Sequence, residues 1–296
     1  MKYKELSESK IQVSEIGLGC MSLSPESNSS KSVIEAAISG GISFLDTADL
    51  YSQGWNEKAV GQAIKSVRSQ VILATKVGNE LRADGSGWDW NPKKSYILKA
   101  VEDSLSRLQT DYIDLYQLHG GTIEDPWDET LEAFEILKAQ GKIRAFGISS
   151  IRPNVIREVL SKSNPATIMM QYNPLDRRPE EIAFPAIEKS SAKVLVRGAF
   201  VKGLLIDKTP KSFLNYDANQ VKRFQDFVND QDFSPEAFLI RFGLAQPVVA
   251  SLVIGASSVA QVEKMVAGYG QSQVIPEETL KLFQQKFPVN HYDSHR

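Results

Sequence analysis

Short apolar runs rich in β-branched and aromatic residues recur at eight places along the chain: 15–20, 42–46, 71–76, 113–119, 143–148, 167–171, 193–197 and 252–255. Between them the apolar period changes. Val60, Ala63, Ile64 and Val67 follow Asn56-Glu57, and Ile97, Ala100, Val101, Leu105 and Leu108 follow Ser95, at spacings that place one apolar stripe on a helix. Apolar strands alternating with amphipathic helices predict a parallel sheet built from βα units. Eight such units favour a closed (β/α)8 TIM barrel over an open doubly wound sheet. Asp125-Pro126 opens a further helix, with proline in the first turn where a missing N–H costs least, and Gly141 stops it. The opening KYKELSESKIQVSEIG alternates about a polar turn and predicts an N-terminal β-hairpin across the barrel floor.

Two intervals exceed what a βα connection needs. Residues 78–92 hold three glycines with Trp88 and Trp90, and residues 198–235 separate the seventh and eighth runs. Long insertions at the C-terminal ends of barrel strands usually build the active site. No repeat or linker divides the chain, so 1–296 reads as a single domain. Its 34 Lys+Arg against 36 Asp+Glu, a net charge of −2, lack the basic footprint of a nucleic-acid binder. No run of 18 apolar residues and no signal-type h-region occur, so no membrane partner is expected and the expected location is cytoplasmic. One cysteine, Cys20, excludes an intrachain disulfide framework, and three histidines make a His-cluster metal site improbable; no metal is expected.

In a barrel, catalytic side chains gather where the strands end. Asp46 ends the second run, Tyr51 follows five residues later, Lys76 ends the third and His119 the fourth. These four suit proton donation to a carbonyl oxygen that receives a hydride. A phenol with a pKa near 10 is a weak acid at neutrality. Lys76 would lower that value, Asp46 would keep Lys76 charged and oriented, and His119 would hydrogen-bond the carbonyl.

With those residues in view, the sequence DTADLY at 46–51, Asn56-Glu57, ATK at 74–76, LYQLH at 115–119, GISS at 147–150, QYNP at 171–174 and VIGAS at 253–257 resembles the signature of the aldo-keto reductases. The resemblance spans nearly the whole chain and implies reversible carbonyl reduction with an extended nicotinamide cofactor. It assigns Tyr51 as the acid and Asp46, Lys76 and His119 as its partners. It also places Cys20 and Asp46 near the nicotinamide, and Ser149 and Gln171 on its carboxamide. Ser150 stands where the family has asparagine. Arg197 replaces the aromatic residue that many relatives set against the ring, and a planar guanidinium can stack there. Gly198, Lys202, Gly203 and Leu205 would carry the pyrophosphate. Gly255, Ser257 and Gln261 fall where relatives grip the 2′-phosphate with cations. The resemblance therefore implies NADP(H) as the preferred cofactor, with a weakened preference and NAD(H) possible.

Each residue also has a plainer reading. A histidine ending a strand is commonly structural, a lysine there commonly surfaces, and Asp46-Thr47 could cap the next turn. Their joint occurrence in one family's order favours catalysis. Cys20 is expected to be a small buried hydrophobe more than a redox thiol, Trp127 a helix-packing residue, and 290–296 a solvated tail. Trp55, Trp88 and Trp90 are the expected contacts to a small-molecule carbonyl substrate. A different reading, a cofactor-binding regulatory subunit like the potassium-channel β subunits, is disfavoured by the complete set of four residues.

Overall fold

The computed structural model describes residues 1–23 and 29–296. The chain opens with an antiparallel hairpin, β1 (Tyr3–Leu6) and β2 (Ile11–Ser14), in register from Tyr3 opposite Ser14 to Leu6 opposite Ile11. There follow β3 (Ile16–Gly19), α1 (Ser29–Ser39), β4 (Phe44–Asp46), α2 (Trp55–Ile64), β5 (Ile72–Val77), a small hairpin of β6 (Asn79–Leu81) and β7 (Trp88–Trp90), α3 (Lys94–Leu108), β8 (Ile113–Leu118), α4 (Trp127–Ala139), β9 (Ile143–Ser149) and α5 (Pro153–Lys162). The last part holds β10 (Thr167–Gln171), α6 (Ala183–Glu188), β11 (Lys193–Arg197), α7 (Ala218–Asn229), α8 (Pro235–Leu244), β12 (Val249–Gly255), α9 (Val259–Ser272) and α10 (Glu277–Lys286). Strands β3, β4, β5, β8, β9, β10, β11 and β12 close into a parallel barrel in that order. They coincide with the eight apolar runs to within two or three residues at each end.

Alternation along each strand divides the core in two. Phe44, Ala74, Leu115, Ala145, Met169, Leu195 and Val253 point into the barrel and pack with Leu6, Ile11 and Val13 of the first hairpin, which plugs the floor as expected. Their neighbours along the strands point outward into a larger cluster shared with the helices. Two residues beyond each inward apolar residue stands Asp46, Lys76, Gln117, Gly147, Gln171, Arg197 or Gly255, on the same inner face at the C-terminal end, with Ser149 a further two residues along β9. The mouth is therefore polar because the apolar layer stops one step short.

Within the long interval 78–92, β6 and β7 pair from Asn79 opposite Trp90 to Leu81 opposite Trp88. Two readings of the sequence change. Pro126 stands at the N-cap of α4 and the helix begins at Trp127, whose indole is buried and donates to the Thr122 carbonyl at 3.0 Å. Residues 290–296 are a solvated tail only in part: His291 and 293–296 are exposed, but the segment is docked. Asn290 and Tyr292 are buried, Asn290 donates to the Leu175 carbonyl at 3.1 Å and accepts from the Arg177 amide at 2.8 Å. A tail without apolar period gave no sign of docking because hydrogen bonds, rather than an apolar stripe, hold it. Among the described residues no helix is long and apolar enough to cross a membrane.

Gly61 on α2 lies against the end of α3, where a Cβ would meet the Leu108 carbonyl group and stand 2.7 Å from the Leu108 Cα. Backbone cannot yield as a flexible side chain can. Gly61→Ala should lower the unfolding free energy by roughly 1–3 kcal/mol, the usual scale of overpacking. Urea denaturation measures it, and an unchanged midpoint and slope would contradict this account of helix packing.

Candidate active site

The inner-face rule brings Asp46 and Lys76 together at the mouth, 4% and 1% exposed, with Lys76 Nζ 2.6 Å from Asp46 Oδ2. Lys76 also donates to the Thr47 carbonyl at 2.8 Å, and Gln117 Nε2 donates to Asp46 Oδ1 at 3.3 Å. Burial pushes the Asp46 carboxyl pKa up, and the Lys76 charge and the hydrogen bonds from Lys76 and Gln117 oppose that rise. Burial pulls the Lys76 ammonium down, but Asp46 and then Tyr51 outweigh it and raise its pKa, so Lys76 is charged.

Tyr51 arrives from the loop after β4. Its amide donates to the Ala48 carbonyl at 3.2 Å, and Ser52, Gln53 and Gly54 follow with φ of 48°, 54° and 84°. Two non-glycine residues in the left-handed region are a local cost that surrounding structure must sustain. Asn56 and Glu57, at the start of α2, supply that support. Asn56 accepts from the Thr47 hydroxyl at 2.6 Å and donates to the Cys20 carbonyl at 2.8 Å, while Glu57 accepts from Thr75 and Arg107, each at 2.6 Å. Lys76 Nζ lies 5.2 Å from the Tyr51 ring centre. Burial raises the Tyr51 pKa more than Lys76 and Arg197 lower it, so the net shift is upward, opposite to the direction expected from the charge alone. Tyr51 is a neutral phenol.

His119 faces Tyr51 edge to face with ring centres 5.9 Å apart. Burial, then the charges of Lys76 and Arg197, push its pKa down to about 3. It is a neutral imidazole, and its Nδ1 is buried with no hydrogen-bond partner among the described residues.

Around this cluster, Gln171 Nε2 donates to Asp176 Oδ2 at 2.7 Å and Gln171 Oε1 accepts from Arg197 at 3.5 Å. Arg197, paired in register with Gln171, is exposed at the mouth. Beyond it Gly198, Val201, Lys202 and Gly203 have φ of 69°, 50°, 53° and 83°, in a tight loop where the Val201 amide donates to the Gly198 carbonyl at 3.1 Å and the Gly203 amide to the Phe200 carbonyl at 2.7 Å. Lys202 is exposed and Leu205 buried. Ser149 is half-buried at the end of β9, whereas the Ser150 hydroxyl accepts from the Arg152 amide at 3.2 Å and so belongs to the turn into α5. Gly255 is exposed; Ser257 donates from its amide at 2.8 Å and its hydroxyl at 3.2 Å to Gln261 Oε1, in front of α9.

The structure does not bring the Cys20 side chain into the mouth. Cys20 shares the outward parity of Ile16 and Leu18, is fully buried with them between barrel and helices, and burial raises its thiol pKa well above the ordinary range. A reactive thiolate and a direct cofactor contact by its sulfur are both removed. Trp90 rests over Gly78 and Gly120, where added Cβ atoms would lie 2.6 and 3.2 Å from its ring, and its indole donates to Asp125 at 3.0 Å. It therefore borders the residues just beyond Lys76 and His119. Trp55 and Trp88 are 57% and 48% exposed, with Lys58 over the Trp55 ring at 4.6 Å. Sequence reasoning missed Gln117, Asp176 and Asp49. Gln117 had a signal, since it sits two residues before His119 on the same face; Asp176 lies in a turn with no period to reveal it. Among the described residues no cluster of candidate metal ligands occurs.

Fold and site together define a (β/α)8 barrel with an acid–base cluster at the strand C-termini. A model of the aldo/keto reductase family matches residues 15–286. The chain is 45% identical over 307 aligned positions to the uncharacterized oxidoreductase YqkF of Bacillus subtilis, with 100% of each chain covered. It is 31% identical to the Schizosaccharomyces pombe aldo-keto reductase yakc, whose name specifies NADP(+), over 67% of this chain and 62% of that one. Among solved structures it is similar to aldo-keto reductase AKR11C1 from Bacillus halodurans: TM-score 0.96 and 47% identity for the holo form, 0.86 and 44% for the apo form, each covering 100% of this chain and 99% of that chain. The chain belongs to the aldo/keto reductase family of oxidoreductases, whose members use nicotinamide cofactors.

Asp49, three residues after Asp46, is buried, and its Oδ1 has no partner among the described residues. Burial, then Glu57, pushes its carboxyl up to about 8, against the opposing charges of Arg107 and Lys76. An unfolded aspartate titrates near 3.9. The folded chain thus holds a proton that the unfolded chain releases, and this contribution to stability is complete below about pH 4 and lost as pH rises to about 8. Asp49→Asn, which cannot ionise, should gain stability relative to wild type by at least ~1 kcal/mol between about pH 5 and pH 8. Urea denaturation at the two pH values checks the sign, and a pH-independent difference would contradict it.

Proposed function

We propose that the protein reduces an aldehyde or ketone to its alcohol, with Tyr51 as the proton donor. The observation that carries this reading is the buried Lys76–Asp46 pair at 2.6 Å, set beside a neutral phenol and a neutral imidazole at one end of the barrel. A carbonyl oxygen placed between Tyr51 and His119 meets two hydrogen-bonding groups that need no reorganisation. As that oxygen gains charge, the Tyr51 proton passes to it, and Lys76 stabilises the phenolate that remains. Asp46 holds Lys76 charged and aimed. His119, uncharged, can donate a hydrogen bond without competing for the proton. Trp90 walls the substrate space, with Trp55 and Trp88 at its rim.

The mouth fits a nicotinamide cofactor, which when bound supplies the hydride. The Gln171 amide and the Ser149 hydroxyl match a carboxamide. Gly198, where a Cβ would approach Gln171 to 3.4 Å, keeps the wall thin, and the left-handed run through Gly203, with Lys202 and the amide of Leu205, suits a pyrophosphate. Arg197 would lie against the ring or its nearest phosphate, and Gly255, Ser257 and Gln261 would meet the adenosine end at the start of α9. The higher TM-score to the holo than to the apo form of AKR11C1 supports a chain already arranged to receive cofactor.

Tyr51→Phe keeps the ring and removes the proton. NADPH affinity should stay within about twofold while kcat for 4-nitrobenzaldehyde falls at least ~100-fold. Near wild-type kcat with hydride transfer rate-limiting would rule out Tyr51 as the acid.

NADPH is the preferred cofactor, in keeping with yakc, but Ser257 and Gln261 offer no cation and satisfy each other. NADPH should bind more tightly than NADH by roughly 5- to 50-fold, about 1 to 2.3 kcal/mol. Ser257→Arg should widen the gap by adding a fork-shaped cation for the 2′-phosphate. Fluorescence titration with both cofactors tests this; an NADH preference in wild type, or an unchanged ratio in the variant, would move the phosphate pocket elsewhere.

A further inference from the structure

Gln171 is held from behind. Its NH2 donates to Asp176 Oδ2, and Asp176 is gripped by Arg178 through two bonds, Nε to Oδ1 at 2.7 Å and Nη2 to Oδ2 at 2.8 Å. A carboxylate only accepts, so Asp176 dictates which way the Gln171 amide faces and leaves its Oε1 toward Arg197. The turn that carries Asp176 also reaches the next loop: Asn173 pairs with Asp176 through the backbone, and its Nδ2 donates to the Gly198 carbonyl at 3.1 Å.

This turn is clamped by residues 290–296. The Arg178 guanidinium lies over the Tyr292 ring at 5.5 Å. Asn290 bonds the turn at Leu175 and Arg177, at 3.1 and 2.8 Å. Glu181, just beyond Arg178, accepts from the Tyr292 amide at 3.0 Å and pairs with Arg296 at 2.7 Å. The His295 carbonyl accepts from the Asn154 amide at 2.9 Å, fixing the far end to the start of α5. The Tyr292 hydroxyl is buried with no partner among the described residues, so the ring face, and not the hydroxyl, is what the site uses.

We infer that segment 290–296 is a positioning strap for the cofactor pocket: through the Tyr292 ring, Arg178 and Asp176 it sets the orientation of the Gln171 amide. The inference rests on the reading of Gln171 as a cofactor-carboxamide ligand. Tyr292 touches no reacting atom and acts through Gln171.

The experiment is NADPH fluorescence titration of the full chain in a double-mutant cycle, with thermal unfolding alongside. Gln171→Leu should raise the NADPH Kd about fivefold, the scale of one well-oriented hydrogen bond. Tyr292→Ala should raise it by a similar factor, and Tyr292→Phe should stay within about twofold because it keeps the ring. In the Gln171→Leu background Tyr292→Ala should add less than about twofold, since the residue it positions is gone. Arg178→Gln, which breaks the fork on Asp176 while leaving the tail's own bonds to Glu181, should match Tyr292→Ala and serves if Tyr292→Ala does not fold. If Gln171→Leu weakens binding but Tyr292→Ala and Arg178→Gln do not, or their effects add in full to that of Gln171→Leu, the strap is overturned and the Gln171 reading stands. If Gln171→Leu leaves Kd unchanged, the Gln171 reading fails and takes the strap with it.

Discussion

Taking an ammonium group out of water costs several kcal/mol, and it stays charged only where a carboxylate and further acceptors surround it. Lys76, 1% exposed, meets that condition through Asp46 and the Thr47 carbonyl. The pair lies on adjacent parallel strands whose register sets Asp46 opposite Ala74, so Lys76 reaches back from two residues farther along. Removing either partner would leave the other buried and alone. The rest of the mouth is built to hold this pair. Gln117 steadies Asp46 from β8, Asn56 ties Thr47 to Cys20 just after β3, and Glu57 ties the start of α2 to β5 and α3.

The electrostatics that follow are lopsided. Lys76 and Arg197 both act on Tyr51 and His119, with Asp46 as the near counter-ion. Burial first, and that excess positive field second, keep His119 neutral, and the field favours the phenolate of Tyr51 at the moment of proton transfer, although burial holds the resting phenol above its ordinary pKa. The two backbone stretches with several left-handed residues, Ser52–Gly54 and Gly198–Gly203, flank the cluster on either side. Strain of that kind persists where packing over-determines it. Here Arg107 against Gly54 and Asn173 on the Gly198 carbonyl provide the bracing.

Much of this was legible in the sequence because the barrel obeys one rule. A period of two fixes which residues face inward, so the apolar runs predict the strands and their last polar inward residues predict Asp46, Lys76, His119, Gln171 and Arg197 at the mouth. The same rule, applied to Ile16, Leu18 and Cys20, would have turned the cysteine outward; proximity in sequence to the strand end misled where parity did not. What periodicity cannot reach is contact made by hydrogen bonds across long separations. The docking of residues 290–296 on the turn at 173–178, the pairing within 79–90 and the isolation of Asp49 among Glu57 and Arg107 leave no repeating trace. The balance between burial and charge at Tyr51 is equally hidden, since it depends on how tightly the loops close.

The account stands on Lys76 as the charge that makes Tyr51 a usable acid. Single-turnover hydride transfer from bound NADPH to 4-nitrobenzaldehyde in Lys76→Met measures that directly, with cofactor affinity determined on the same protein. A rate reduced at least ~100-fold at an NADPH Kd within about twofold of wild type is the expected result. Hydride transfer at the wild-type rate in the folded variant would contradict it.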